Sequence, residues 1–528
     1  MIDFKRFALC GLLLLAGCQE LTVENENQLP GERIALTFDD IETLGASLFA
    51  TNWERQGCGE AMMLQTMADA NSSSWSNWGM RDMSSEPRVA WDNDPAYNWR
   101  TSIERPWFGS YAVIANANDV LRQLAVLETA GEVTANQNAH RLRAFAQFNR
   151  AWAHAYLALI FDQAFVVDET IDLEAVARGD IDLPLLPYTE VMTAAIAQME
   201  EALLTANDGA FVISATDDWV FGLDMDNNDL AALGHSFIAQ WMAQVARTPA
   251  ERAAANWPAI MSHISEGITD TFAPVSDGET EEWDCVKWFF SNGTTWSRID
   301  YKMLGPADES GGFEAWENTP LQERLVFEVL TSDRRIVGGD GRDPFVNGTY
   351  TQFQGTNGPF PAIHGTYHYS SHNHRRWLDY VNANATGPMV YMLPAEMDLL
   401  MAEGLLHTSG DLQQAVDLIN NTRVVNGELP PAQASETVGS PEDAQSHLET
   451  ASLWAKLKHE KRWETLSTSS GLEYFDDRGW GDLTSGTPVH FPVPGSELVK
   501  LALQNYTFGG DAGSSAGRIR QQNIQPIR

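Results

Sequence analysis

Residues 141–161 read RLRAFAQFNRAWAHAYLALIF, and this stretch decides the fold class. Its large apolar side chains recur every three or four residues, which places them on one face of a helix. These side chains are Leu142, Phe145, Phe148, Trp152, Tyr156 and Leu159. Because such an apolar face is stable only when other elements cover it, the stretch predicts a long helix packed inside a helical body.

The same spacing recurs further along the chain and predicts more helices. They cover residues 190–206, 230–246, 257–268, 395–406 and 412–424. Between the last two, Gly410 suits a left-handed residue at a helix end, and Asp411 suits the next N-cap. Amphipathic pairs of this length resemble tetratricopeptide-like units, which bury their apolar faces by stacking on neighbours. We therefore predict a mainly all-α fold of tetratricopeptide-like pairs with few short strands.

The first thirty residues are typical of an exported, lipid-anchored protein. Lys5 and Arg6 precede an apolar run over 7–15, which is too short to span a bilayer but fits a signal peptide. The run ends in Leu15-Ala16-Gly17-Cys18, which looks like a bacterial lipobox. We predict a lipoprotein signal peptide at 1–17, lipidation at Cys18, a polar flexible tether at 18–30 and a single body over 31–528.

Charge and cysteine content narrow the partners and the compartment. The chain has 34 Lys and Arg against 72 Asp and Glu, for a net charge of −38. Phosphate backbones repel so acidic a protein, so no nucleic-acid partner is expected. Besides Cys10 in the signal and Cys18, the chain has Cys58 and Cys285. In an oxidising compartment these form either a disulfide or two separate buried thiols, and the sequence leaves both open.

Two regions break the helical pattern, at about 71–107 and 283–380. Both combine many aromatic residues with Ser, Asn, Asp, Gly or Pro, and neither has a long helical periodicity. They are predicted to be long, irregular surface excursions. Long loops on a rigid scaffold often carry binding residues, so the ligand site is expected there.

Several segments, in order along the chain, resemble the SusD/RagB family. Residues 143–159 are similar to its long aromatic helix, and 393–423 to its "E-x-x-L-x-x-A-E-A … A-x-x-x-I-N-x-x-R" block. Residues 459–481 resemble "E-K/R-R-x-E-L … F-D-L-R-R-W-G", and 491–505 resemble the closing "P-I-P-x-x-E-L … Q-N-P". The chain departs from the family at Glu473, where Arg is usual.

The resemblance implies a nutrient-binding protein of the cell surface that is not an enzyme. It implies a lipid anchor in the outer membrane and a SusC-like TonB-dependent transporter as partner. The expected ligand is an oligosaccharide or polysaccharide. A peptide ligand is the alternative within the family, and a secreted glycoside hydrolase is the alternative outside it.

The predicted ligand contacts are rings and polar groups of the two irregular regions. Sugar C–H faces lie flat on aromatic rings, and polar neighbours orient the hydroxyls. The predicted ligand-binding residues are Trp75, Trp78, Arg81, Trp91, Trp288, Trp296, Tyr369 and Trp377. The alternative for each tryptophan is that its ring pins a loop to the core.

Two patterns resemble metal sites without completing one. The histidines 364, 368, 372 and 374 have ligand-like spacing, but no regular element fixes their geometry, so no metal is predicted there. Asp224, Asp226 and Asn228 imitate the start of a calcium loop, but Asp229 stands where glycine is needed. A polar helix N-terminus is the preferred interpretation. We therefore predict no cofactor, with calcium as the alternative.

Two further patterns resemble enzyme motifs. Residues 513–517 match G-x-S-x-G but lie in a Gly/Ser-rich tail, whereas a nucleophile elbow needs a strand before it and a helix after it. His459-Glu460 starts like a zinc-protease helix, but Trp463 replaces the second histidine. No catalytic residue is predicted.

Overall fold

The structure is a computed structural model, and it describes most of the chain from residue 36 onward. The described residues are 36–56, 58–73, 76–133, 136–278, 283–293, 296–355, 370–510 and 518–519. The sequence predictions for Cys18, Trp75, His364, His368, Tyr369 and the 513–517 motif fall outside these residues.

Helices make up most of the regular structure, as predicted. They are α1 (Phe38–Ala46), α2 (Leu48–Arg55), α3 (Cys58–Met67), α4 (Met80–Ser84), α5 (Thr101–Ala130), α6 (Gln137–Ile160), α7 (Leu173–Arg178), α8 (Tyr188–Asp208), α9 (Asn227–Gln244), α10 (Pro249–Ala253), α11 (Trp257–Ser265), α12 (Cys285–Ser291), α13 (Tyr301–Leu304), α14 (Gly312–Glu317), α15 (Leu378–Asn382), α16 (Pro394–His407), α17 (Leu412–Arg423), α18 (Leu453–Glu464), α19 (Leu472–Trp480) and α20 (Gly495–Lys500). Within the described residues, no helix combines the length and apolarity that crossing a membrane requires.

The strands are short and pair two by two, antiparallel. The pairs are β1 (Asn71–Ser73) with β7 (Ser297–Ile299), β2 (Gln163–Ala164) with β3 (Leu186–Pro187), β4 (Val212–Ile213) with β5 (Met225–Asp226), β6 (Val275–Asp277) with β10 (Thr386–Pro388), β8 (Thr351–Phe353) with β9 (His372–His374), and β11 (Tyr506–Thr507) with β12 (Arg518–Ile519). These pairs fasten the irregular segments to one another, and the helices form the scaffold.

Helix α6 lies at the centre of the largest core cluster, and the prediction for 141–161 is confirmed. Asn136 caps it by accepting hydrogen bonds from the backbone N–H groups of Asn138 and Ala139. All six apolar residues of the predicted face are buried. Helix α6 packs against α5 and α8, α8 against α9, α9 against α11, α11 against α16, and α16 against α17 and α18. This stacking of neighbours is the predicted tetratricopeptide-like arrangement.

Helix α5 corrects the predicted boundary of the first irregular region. The region was expected to run to residue 107, but α5 begins at Thr101. Pro106 and Gly109 weaken the helical pattern there. The burial of Ile103 and Trp107 nevertheless extends the helical face toward the N-terminus, so packing overrides local propensity.

The turn between α16 and α17 is only partly as predicted. Ser409, not Gly410, adopts the left-handed conformation, with a φ of 52°. A Cβ on Gly410 would lie 2.9 Å from Leu405 Cδ2, so this glycine serves close packing. Asp411 caps α17 as expected, accepting hydrogen bonds from the backbone N–H groups of Gln413 and Gln414.

Buried charges between the helices are paired with opposite charges. The Arg335 guanidinium lies 2.7 Å from Asp333 and 2.7 Å from Glu460. Arg252 lies 2.8 Å from Glu403 and 3.0 Å from Asp476. Removing one partner of such a buried pair would cost several kcal/mol, on the order of 3–5, so these pairs stabilise the packing of the helices that carry them.

Candidate functional site

The described ligand residues predicted from sequence lie in different environments. Trp91 is 1% exposed and Trp296 is 7% exposed, so both rings pack in core clusters and neither presents an open face for a sugar. The reason is local: Trp91 makes edge contacts with Tyr97 and Phe491, and Trp296 packs beside Phe289 and Phe290.

The other four described predictions are partly or fully accessible. Trp78 and Trp288 are partly buried, and Trp288 meets the Trp283 ring edge-on, with the centroids 6.3 Å apart. Trp377 is partly buried and donates from its indole N–H to the carbonyl of Leu466 at 3.1 Å. Arg81 is exposed, with its guanidinium 4.0 Å from the Asp82 carboxylate.

A cavity of about 280 Å³ lies beside Trp288, whose ring contacts the cavity residue Trp283. Its lining comes from distant parts of the chain: the end of α2, the start of α3, the start of α12, Tyr391 and the 467–473 segment. The disulfide between Cys58 and Cys285 is part of the wall and ties α3 to α12, with the two Cα atoms 5.2 Å apart. This resolves the cysteine alternative in favour of the bond. None of the described predicted ligand residues lines the cavity.

Aromatic rings form one wall of the cavity. Trp53 and Trp283 are partly buried, and Tyr391 is buried. The Trp53 indole N–H donates to the Trp283 carbonyl at 3.5 Å, and the Trp53 and Tyr391 ring centroids are 5.5 Å apart. The Tyr391 hydroxyl donates to the side-chain oxygen of Gln56 at 2.8 Å. These contacts hold the rings in fixed positions, as a preorganised apolar surface requires.

Polar groups form much of the rest of the lining. Ser467 adopts a left-handed φ of 54°, and its hydroxyl accepts a hydrogen bond from the Gln65 side chain at 2.7 Å. The Ser470 hydroxyl lies 3.1 Å from that of Tyr156. Two exposed residues of opposite charge, Glu54 and Arg105, also line the cavity. The cavity thus combines rings with hydroxyl, amide and charged groups, the mixture that binds a polar ring-shaped ligand.

Glu473 is a buried acidic residue of the cavity lining. Burial raises the pKa of its carboxyl from the ordinary 4.5 to about 7. Its Oε1 accepts a hydrogen bond from the backbone N–H of Ser467 at 2.7 Å, which holds the 467–471 turn against α19. At mildly acidic pH the cavity therefore holds a neutral carboxyl here.

We expect Glu473→Gln to flatten the pH dependence of stability. Because the folded pKa is raised, the native protein holds this proton more tightly than the unfolded chain between pH 4.5 and about 7. Stability therefore falls as pH rises through that window, by up to about 3 kcal/mol from this group. Denaturant unfolding measures the free energy of unfolding at pH 5 and at pH 8. The fall between the two pH values should be smaller for Glu473→Gln than for the wild type.

The matched control for this prediction is Glu174→Gln, because Glu174 is exposed. That variant should keep the wild-type difference between pH 5 and pH 8. A Glu473→Gln profile as steep as the wild type would contradict the raised pKa.

The metal-like patterns have other roles where they are described. His372 and His374 are buried on β9, and burial lowers their pKa values to about 4 and about 3. Asp226 caps α9, and its side chain accepts hydrogen bonds from the backbone N–H groups of Asn228 and Asp229. The Asp229 carboxylate in turn accepts a hydrogen bond from the backbone N–H of Asp226. The polar helix N-terminus preferred from the sequence is therefore what the structure has.

Sequence reasoning missed Trp53, Trp283 and Tyr391 as cavity residues. Trp53 lies in a short helix outside the two irregular regions, and Tyr391 lies just before α16. Trp283 opens the second region and stands two residues before Cys285, which is the one local signal that could have favoured it. The disulfide then brings it to the cavity.

The described residues form a helical scaffold with a cavity, and the comparisons find the same scaffold in other proteins. Residues 28–201 match the SusD-like_3 family model, described as starch-binding associating with outer membrane. No match was found among curated proteins. The fold is similar to that of a SusD superfamily protein from Parabacteroides distasonis, at TM-score 0.57 and 15% identity over 88% of this chain and 97% of that one.

Two further solved structures share the fold. A SusD superfamily protein from Bacteroides thetaiotaomicron has TM-score 0.53 and 15% identity, covering 88% of this chain and 96% of that one. One from Bacteroides fragilis has TM-score 0.53 and 15% identity, covering 88% and 97%. Residues 28–201 thus match this family model, and the described residues share the fold of SusD superfamily structures.

Proposed function

We propose that this protein binds an oligosaccharide in the cavity walled by Trp53, Trp283 and Tyr391, and does not cleave it. The observation that carries the proposal is the pairing of two partly accessible indoles with a wall of hydroxyl and charged groups. Apolar C–H faces of a sugar gain from the rings, and its hydroxyls need the polar partners. The description of the matching family model supports the same ligand class.

The dimensions favour the end of a chain as the bound part. At about 280 Å³ the cavity is near the lower limit for small-molecule sites. An extended polymer would have to lie outside it, on Trp78, Arg81, Trp288 and Trp377, which remain proposed contacts together with the undescribed Trp75 and Tyr369. The binding surface proposed from sequence would then flank the cavity.

The proposal is tested by calorimetric titration of the mature protein with a panel of neutral oligosaccharides and, separately, short peptides. We expect saturable binding of at least one oligosaccharide, recovered intact afterwards by chromatography. Binding of peptides alone would favour the peptide-binding alternative. Release of new reducing ends would overturn the non-enzymatic role and favour a hydrolase.

We also propose that the protein is anchored in the outer membrane through Cys18, faces the exterior and hands its ligand to a SusC-like TonB-dependent transporter. The lipobox before Cys18 and the polar tether at 18–30 support the anchor. The outer-membrane association in the family description supports the location.

Cys18→Ala is expected to move the protein from the membrane fraction to the soluble fraction, because the lipobox then has no thiol to carry lipid. Fractionation with immunoblotting measures this, and Cys10→Ala, in the predicted signal peptide, is the matched control that should stay anchored. Retention of Cys18→Ala in the outer membrane would argue against the anchor. Co-purification of the anchored wild type with a large β-barrel after mild crosslinking tests the transporter partner.

A further inference from the structure

A second cavity, of about 260 Å³, lies apart from the first and shares no lining residue with it. It is bounded by Arg247 and Thr248 after α9, by Arg478 on α19, and by the turn over residues 483–487. Two arginines and several hydroxyl-bearing residues line it, and its lining contains no Asp or Glu. In a chain of net charge −38, a cavity whose charged lining is wholly cationic is unexpected.

The two arginines are buried without a direct ion pair among the described residues. Arg247 is 4% exposed and Arg478 is 1% exposed. In the described part of the chain neither guanidinium comes within ion-pair distance of a carboxylate. Arg335 and Arg252, which are equally buried, each have two or more carboxylate partners. Direct ion pairs of this kind are absent at the second cavity within the described residues, as they are at the buried Arg55.

The hydrogen bonds of these arginines run mainly to backbone carbonyls. Arg247 donates from Nη2 to the carbonyls of Ala158 and Phe161. Arg478 donates to the carbonyls of Leu159, Val489 and Gln244. The nearby Glu251 carboxylate accepts from the backbone N–H of Arg247 and not from its guanidinium. These contacts hold both side chains in place. Asp162 and Glu251 stabilise the charge of Arg247 only from beyond ion-pair distance.

Donors remain unused on both side chains. Among the described residues, Arg247 Nε, Arg247 Nη1 and Arg478 Nε have no hydrogen-bond acceptor. Buried N–H groups of a guanidinium almost always have an acceptor, because leaving one unpaired costs on the order of 1–3 kcal/mol. Burial lowers the pKa of Arg247 to about 10, which still leaves it cationic at neutral pH.

We propose that this second cavity is an oxyanion site, which takes a carboxylate or sulfate group against Arg247 and Arg478. Arginine suits such groups because its N–H donors match two oxygens at once. The hydroxyls of Thr248 and Ser485, which line the same cavity, supply further hydrogen-bond donors for the oxyanion. The group could belong to an acidic sugar or to a free inorganic anion. This site does not depend on the oligosaccharide cavity.

The test uses isothermal titration of the mature protein with sodium sulfate and with sodium glucuronate, in sodium chloride of matched ionic strength. Ser485 is exposed, so Ser485→Asp places a carboxylate at the cavity without disturbing the core, and Ser485→Asn is its neutral, matched control. Calorimetry is chosen because sulfate stabilises most proteins without binding them.

Wild type and Ser485→Asn should bind at least one probe saturably, and Ser485→Asp should bind about tenfold more weakly or not at all. Arg247→Lys keeps the positive charge but loses the paired N–H donors of the guanidinium, so it should also weaken binding. Binding of glucuronate identifies an acidic sugar as the source, and binding of sulfate alone identifies an inorganic anion. Equal binding by wild type and Ser485→Asp, or no saturable binding of either probe, would overturn the site.

Discussion

Trp283→Ala is expected to lower the affinity for a neutral oligosaccharide by about 10- to 100-fold, or roughly 1.5–3 kcal/mol. The substitution removes one of the two partly accessible indoles of the cavity wall. Trp53 donates to the backbone carbonyl of Trp283 and not to its ring, so that hydrogen bond survives the truncation. Calorimetric titration of wild type and variant with the same oligosaccharide measures the loss.

Substitutions of two other tryptophans distinguish binding in the cavity from binding on the flanking surface. Trp99 is partly buried like Trp283 but does not line the cavity, so Trp99→Ala is the matched control and should leave affinity unchanged. Trp377 was chosen from sequence and lies outside the cavity lining. If Trp377→Ala weakens binding more than Trp283→Ala, the ligand lies on the flanking surface and the cavity is not the main site. Circular dichroism spectra and unfolding midpoints establish that each variant is folded.

The scaffold was predictable because its signals are local. Helices α6, α8, α9, α11, α16 and α17 each repeat apolar residues at helical spacing, so their positions follow from the sequence to within about four residues at either end. Asp411 and Asp226 at N-caps follow from short-range hydrogen bonding. Where a local rule competes with packing, as at Gly410 or at the start of α5, packing decides.

The cavity was not predictable from the sequence, because its lining residues are far apart along the chain. Its rings come from residues 53, 283 and 391, and its polar wall comes from residues 467–473. No spacing rule links positions so far apart, and an indole in a loop looks the same in sequence whether it faces a ligand or the core. Trp91 and Trp296 show this, because their loops are held to the body by the same rings that had marked them as ligand contacts.

Replacing both Cys58 and Cys285 by serine is expected to destabilise the protein by about 3–5 kcal/mol. The crosslink joins residues 227 apart, so its loss releases a long loop in the unfolded chain and increases that chain's entropy. Denaturant unfolding of the oxidised wild type and of the double variant measures the change. Adding reductant to the wild type should reproduce the effect, whereas the double variant should not respond to it.

The same change should also weaken oligosaccharide binding, because the disulfide forms part of the cavity wall and fixes α12 relative to α3. Trp283 stands just before α12, and its ring packs on Trp288 and Phe289 of that helix, so a shift of α12 would move the ring. The affinity for the oligosaccharide should therefore fall even in the absence of denaturant, where the double variant is fully folded. If affinity stays at the wild-type value while stability falls, the disulfide serves the scaffold alone, and the position of Trp283 is set by its aromatic neighbours.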